Sequence, residues 1–276
     1  MNDVAMNDAA DMQALAGGQI LTRLDGGIRW LVFNQPEKLN AISLEMSQAA
    51  ADVIDGFGAA VDERVLVVRG AGDKAFVSGA DISEFDKKRN NAETSDDYGR
   101  QFFRMFQTLR DVEKPTIAMI QGYCFGGGVA VASCCDIRIA ADNSLFAVPA
   151  ARLGVGYRAE FVQLLMNLVG PAKTKEILYA VKHFPAAEAR AMGLVNQVTK
   201  VENLENLTLN YAKTMTENAP LSLRAAKVIV NELLKDESIR DVDKTRQVVD
   251  DCADSEDFKN ARRAFMAKEK PVFTGK

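Results

Sequence analysis

The sequence predicts an α/β layered core followed by a helical C-terminal region. Three observations carry this. Up to about residue 200, short β-rich runs alternate with segments of helical apolar spacing, the pattern of strand-then-helix units. Beyond Val201 the spacing is helical only. Between these signals lies Gln121-Gly-Tyr-Cys-Phe-Gly-Gly-Gly-Val-Ala130, where an apolar run turns into a small-residue run through three glycines.

The elements follow in order. Residues 1–17 read as a flexible tail ending in Gly17-Gly18. Ile20–Leu24 and Ile28–Phe33 flank Asp25-Gly26-Gly27, a hairpin signal. Asn34-Gln-Pro-Glu-Lys-Leu-Asn-Ala-Ile42 reads as a loop, and Ser43 as the N-cap of a helix striped by Leu44, Met46, Ala50, Val53, Ile54 and Phe57. Val65–Arg69 is a strand, Gly70–Asp73 a turn, and Ala75-Phe-Val-Ser-Gly-Ala-Asp-Ile82 follows. Residues 84–97 are polar and charged, a solvated loop or a lid beside a site. A helix bearing Phe102, Phe103, Phe106 and Leu109 precedes the apolar strand Thr116–Ile120. Asp136–Ala140 is a further strand, and helices are expected at 202–217, 221–235, 238–252 and 255–269.

Composition narrows the function classes. The chain has 276 residues, 47% of them hydrophobic, enough for a substantial core in one large domain or two small ones. A formal net charge of −4 gives no basic footprint for nucleic acid. No apolar stretch approaches the roughly 18 residues of a membrane span. The acidic N-terminus lacks the features of a secretory signal. Cys124, Cys134, Cys135 and Cys252 have no metal-ligand spacing and read as reduced thiols of a cytoplasmic protein.

A strand entering a helix through glycines leaves the first helical N–H groups without internal partners, and these with the helix dipole favour negative charge. An oxyanion or phosphate site and a tight glycine-packed turn both fit this stretch. Other motifs fail. Gly154-Val-Gly156-Tyr-Arg-Ala159 matches a loose dinucleotide pattern but lacks a preceding strand. There is no P-loop and no Gly-x-Ser-x-Gly elbow.

Taken in order, Asn34–Ala41, Ala75–Ile82 and the glycine triplet resemble the crotonase (enoyl-CoA hydratase/isomerase) superfamily, from about residue 18 to the C-terminus. The resemblance implies a crotonase-like spiral of ββα units over 18–200. It also implies a helical region over 201–276 that helps form a homotrimer, often paired into a hexamer. It implies an acyl-CoA thioester as substrate, with coenzyme A arriving as part of that substrate and no separate cofactor or metal. Two backbone donors aimed at one thioester oxygen would stabilise an enolate. By motif position these are the N–H groups of Ala80 and Gly127. Ala80, Asp81 and Ile82 resemble the segment cradling the adenine. Lys38 and Leu39 lie in the loop lining the CoA path. Phe265 and Lys268 match a Phe and a Lys of the closing helix that reach a neighbouring subunit's CoA, and a solvated lysine explains Lys268 equally.

The sequence also departs from the family. Hydratases carry one glutamate two residues past the last glycine and a second after a proline. Those positions here are Ala130 and Ala150. Some isomerases place a carboxylate eight residues beyond the second position, which here is Arg158. Alanine neither donates nor accepts a proton, so the two-glutamate hydration is in doubt. Glu160 reads as a first-turn glutamate complementing the helix dipole. Alternatively, Arg158 and Glu160 replace the lost carboxylates, with Tyr157 as a candidate proton carrier. Arg158 would also suit an acyl group with a second carboxylate. Asp136 sits where a structural aspartate is expected, and His183, the sole histidine, reads as a surface residue. Two functions remain open: a superfamily enzyme acting through an enolate, and a non-catalytic acyl-CoA binding protein.

Overall fold

The computed structural model describes residues 12–81 and 92–276. The strands are β1 (Gln13–Leu15), β2 (Ile20–Asp25), β3 (Ile28–Phe33), β4 (Val65–Gly70), β5 (Ala75–Val77), β6 (Thr116–Ile120), β7 (Tyr123–Phe125), β8 (Ile137–Ala141), β9 (Leu145–Ala147), β10 (Phe184–Pro185) and β11 (Gln197–Thr199). They form a seven-stranded sheet ordered β1-β2-β3-β4-β6-β8-β11 and a four-stranded sheet ordered β10-β9-β7-β5. The larger sheet is antiparallel through β1, β2 and β3 and parallel from β3 onwards.

Alternation along the strands sorts side chains to two faces. Trp30, Val65, Val67, Ile117, Met119 and Ile139 pack in one cluster with Leu204 and Ala212 of α6 (Leu204–Glu217). Leu31, Phe33, Leu66, Val68, Ala118 and Ile120 face the other way, into the main core with α1 (Leu44–Ala59) and α2 (Ala92–Asp111). Both faces are covered, which is why Thr116–Ile120 is an unbroken buried run. Ser43 caps α1 by accepting the Met46 N–H at 3.1 Å.

α3 (Gly127–Cys134) packs on β7 and β5 of the smaller sheet, α4 (Ala159–Ala180) packs on α3, and α4 is interrupted where Gly170 takes a φ of 75° before Pro171. α5 (Ala186–Ala191) leads to β11. The C-terminal helices are α6, α7 (Pro220–Leu233), α8 (Val242–Asp254) and α9 (Glu256–Ala267). α8 starts later than periodicity suggests because Asp241 caps it, accepting the Lys244 N–H at 2.8 Å. Among the described residues, no helix is long and apolar enough to cross a membrane.

Two further boundaries move. The tail expected over 1–17 contains β1, paired to β2 in the register Gln13↔Thr22; backbone pairing orders a segment whose composition gives no strand signal. Residues 92–97 of the expected loop or lid begin α2, and the rest of that stretch, with Ile82, lies outside the described residues.

Candidate active site

The topology brings three segments to one edge. In the smaller sheet β5 and β7 are parallel, and β7 and β9 are parallel. Their carboxyl ends therefore lie side by side, the usual place for ligands in parallel sheets. From β5 the chain continues into Ser78-Gly79-Ala80-Asp81, from β7 into Gly126-Gly127-Gly128, and from β9 into Val148-Pro149-Ala150.

The first two segments cross in close contact. A Cβ built on Gly127 would lie 3.4 Å from the Ala80 nitrogen and 3.3 Å from the Gly79 carbonyl carbon. A Cβ on Gly128 would lie 2.1 Å from the Val77 carbonyl oxygen, so only glycine permits this packing. Gly79 has a φ of 130° and Gly126 a φ of 50°, both in the region that L side chains rarely adopt. The crossing is braced by a bridge to the loop before α1. Ile42 N–H donates to Gly79 O at 2.8 Å, and Asp81 N–H to Ile42 O at 2.9 Å. That bridge uses the carbonyl of the peptide that carries the Ala80 N–H and the N–H of the next peptide. Gly127 begins α3, so its N–H has no intrahelical acceptor. Among the described residues neither the Ala80 nor the Gly127 N–H has a hydrogen-bond acceptor. Two such neighbouring donors suit an oxygen carrying negative charge.

Lys38, Leu39 and Asp81 adjoin this crossing. Lys38 Nζ lies 2.8 Å from Asp81 Oδ2, and Ser78 N–H donates to Leu39 O at 3.1 Å. The sequence reading missed Asn40, which organises the loop. It is buried; its Oδ1 accepts Gln35 N–H at 2.9 Å, and its Nδ2 donates to Ala71 O at 3.0 Å and Ala75 O at 2.7 Å. Asn in a turn gives some warning, but its three long-range or loop-closing bonds leave no sequence signal.

Ala130 is buried in α3 and Ala150 half-buried in the turn after β9. Tyr157 follows that turn, and its phenol donates to the Gly126 carbonyl at 3.1 Å. Burial pushes the phenol well above its usual range. A proton committed to a carbonyl in this way does not fit the alternative in which Tyr157 carries protons. Arg158 and Glu160 sit at the start of α4 and pair at 3.2 Å, each side chain about half exposed. The Arg158 guanidinium also lies 4.0 Å from the Phe103 ring centroid. Its hydrogen bond to Arg158 holds the Glu160 carboxyl below the usual range. The pair lines a small cavity of about 30 Å³ with Phe103, Phe106 and Phe161.

Phe265 and Lys268 belong to α9 and its end. Phe265 is 83% exposed, and Lys268 closes the helix in a left-handed conformation with a φ of 56°. α9 has α8 as its main packing partner, so the single chain does not join these residues to Ala80 and Gly127. Asp136 is structural here: its Oδ2 accepts Thr116 N–H at 2.8 Å and Lys227 Nζ at 2.9 Å. Burial pushes the Cys135 thiol up to about 12, which leaves it un-ionised near neutrality.

Comparison with known proteins agrees with this architecture. The family described as enoyl-CoA hydratase/isomerase matches residues 23–276. The short-chain-enoyl-CoA hydratase of Clostridium acetobutylicum is 31% identical, over 91% of this chain and 95% of its own. The crotonyl-CoA hydratase of Syntrophomonas wolfei is 32% identical, over 89% and 94%. A solved enoyl-CoA hydratase/carnithine racemase from Magnetospirillum magneticum superposes with a TM-score of 0.88 at 32% identity, over 99% of this chain and 100% of that one. The chain belongs to the enoyl-CoA hydratase/isomerase family.

Proposed function

We propose that the protein binds an acyl-CoA thioester and that the Ala80 and Gly127 N–H groups form an oxyanion hole for its carbonyl. The observation that carries this is the crossing of two glycine segments, whose two acceptor-free N–H groups meet at the carboxyl ends of parallel strands. One such donor is typically worth about 2.7–4 kcal/mol in a transition state. Lys38, Leu39, Ala80, Asp81 and Ile82 would receive the coenzyme A portion, with Phe265 and Lys268 supplied by a neighbouring subunit. The exposed apolar side chains Val230, Leu233, Leu234, Phe258, Phe265 and Met266 on the C-terminal helices support a trimer or hexamer. No separate cofactor is required, and the setting is cytoplasmic.

The chemistry is that of an enolate without the paired glutamates, since Ala130 and Ala150 stand at those positions. Arg158 and Glu160 lie eight and ten residues beyond the second position, and their mutual pairing supports a structural share in their role. The second reading, a non-catalytic acyl-CoA binding protein, is favoured by that same loss. Incubation with crotonyl-CoA, followed by mass spectrometry, tests the loss of hydration that both readings share. The expected result is binding of CoA ligands without a product one water heavier. Prompt hydration would overturn the assignment of the two alanines, and failure of any acyl-CoA to bind would overturn the ligand class.

A further inference from the structure

The Gly126 carbonyl and the Gly127 N–H are two ends of one planar peptide unit. What holds the first end sets the direction and strength of the second. Gly126 has a φ of 50° and a ψ of −106°, outside the helix and strand regions, and glycine offers the least intrinsic resistance to reorientation. The peptide must therefore be held from outside. Its carbonyl accepts two hydrogen bonds, from the Ala130 N–H at 3.2 Å and from the Tyr157 phenol at 3.1 Å, which occupy both lone pairs. On the preceding peptide, the Gly126 N–H donates to Ala147 O at 2.8 Å. Tyr157 packs its ring at 5.6 Å from that of Phe161 in α4, so the phenol is delivered from a separate element.

We propose that Tyr157 is a positioning residue for this site: its hydroxyl fixes and polarises the peptide whose N–H is the Gly127 donor. The inference rests on the reading of Gly127 as an oxyanion donor. A hydrogen bond to a carbonyl draws electron density from the peptide nitrogen and makes its N–H a better donor. Such cooperative strengthening is on the order of 10–30% per bond. The phenol stays protonated, and hence a donor, because burial raises its ionisation above the usual range.

The test uses butyryl-CoA carrying ¹³C at the thioester carbonyl, bound to the full-length protein and followed by isotope-edited infrared spectroscopy. In the wild type the bound carbonyl stretch is expected below that of free ligand. Tyr157→Phe keeps the ring and removes only the hydroxyl. It is expected to lose roughly a tenth to a third of that lowering, with Kd within about threefold, since uniform binding is barely touched. Replacing Tyr157 with 3-fluorotyrosine makes the phenol a stronger donor and should deepen the lowering; it also carries the test if the phenylalanine variant does not fold. An unchanged stretch across all three proteins overturns the role of Tyr157 while leaving the oxyanion site intact. An affinity loss beyond tenfold with no change in the stretch also overturns it, as simple packing. Absence of binding or of any lowering in the wild type overturns the oxyanion reading and this inference with it.

Discussion

The glycine crossing and the Arg158–Glu160 pair are built by opposite means. The crossing is made of backbone. Its donors are placed by strand pairing, by the bridge between Ile42 and Ala80, and by Gly127 and Gly128, whose Cβ positions neighbours crowd or fill. The pair is made of side chains, half exposed, satisfying each other and the Phe103 ring. Backbone donors do not titrate and lose no rotamer freedom, so they suit a fixed electrostatic task. Two long exposed side chains hold each other weakly and answer to pH and salt. The tempting charged candidates are therefore the less constrained of the two.

Three substitutions probe this contrast. Gly128→Ala should have the largest effect. Its Cβ would sit 2.1 Å from the Val77 carbonyl oxygen, which only a backbone shift relieves, at a cost of about 3 kcal/mol or more. Denaturant unfolding checks this, and a loss under about 1 kcal/mol would show the crossing to be looser than described. Gly127→Ala is milder, because its nearest contact would be 3.3 Å. It should cost about 1 kcal/mol yet push the two donors apart. The polarisation of a bound thioester carbonyl should fall while the fold persists, and an unaltered infrared stretch would contradict the assigned donors.

Glu160→Gln should matter least, within about 0.5 kcal/mol at pH 7. The sign follows from the carboxyl being held down by its bond to Arg158. Its folded pKa lies below the unfolded one, so its contribution is present above the unfolded value, near 4.3. That contribution is lost as pH falls through the folded pKa. The small wild-type advantage should vanish in thermal melts below that range. An advantage that grows in acid would mean Glu160 has another partner.

Five strands of the larger sheet and the C-terminal helices were legible in the sequence, whereas the short strands of the smaller sheet were not. Thr116–Ile120 is an unbroken apolar run, and Ile20–Asp25 with Ile28–Phe33 pair as their glycine turn implies. Their signals are local, carried by periodicity and turn residues. Gln13–Leu15 was not legible, because its order comes from pairing with β2. Resemblance pointed to Ala80, Gly127, Lys38 and Asp81, which the fold brings close together. The buried bonds of Asn40 and the reach of Tyr157 to Gly126 were not legible.

The sequence by itself determined the alternation of strands and helices, the glycines without side chains and the absence of glutamate at 130 and 150. These are properties of residue type and spacing. Only the tertiary structure decided that the turns after β5 and β7 meet, that Gly128 has no room for a methyl group, and that a phenol 31 residues along the chain closes on the Gly126 carbonyl. Those outcomes depend on parallel strand order and on long-range packing. A parallel pair is joined only by a crossover, so nothing within either turn records which other turn it will face.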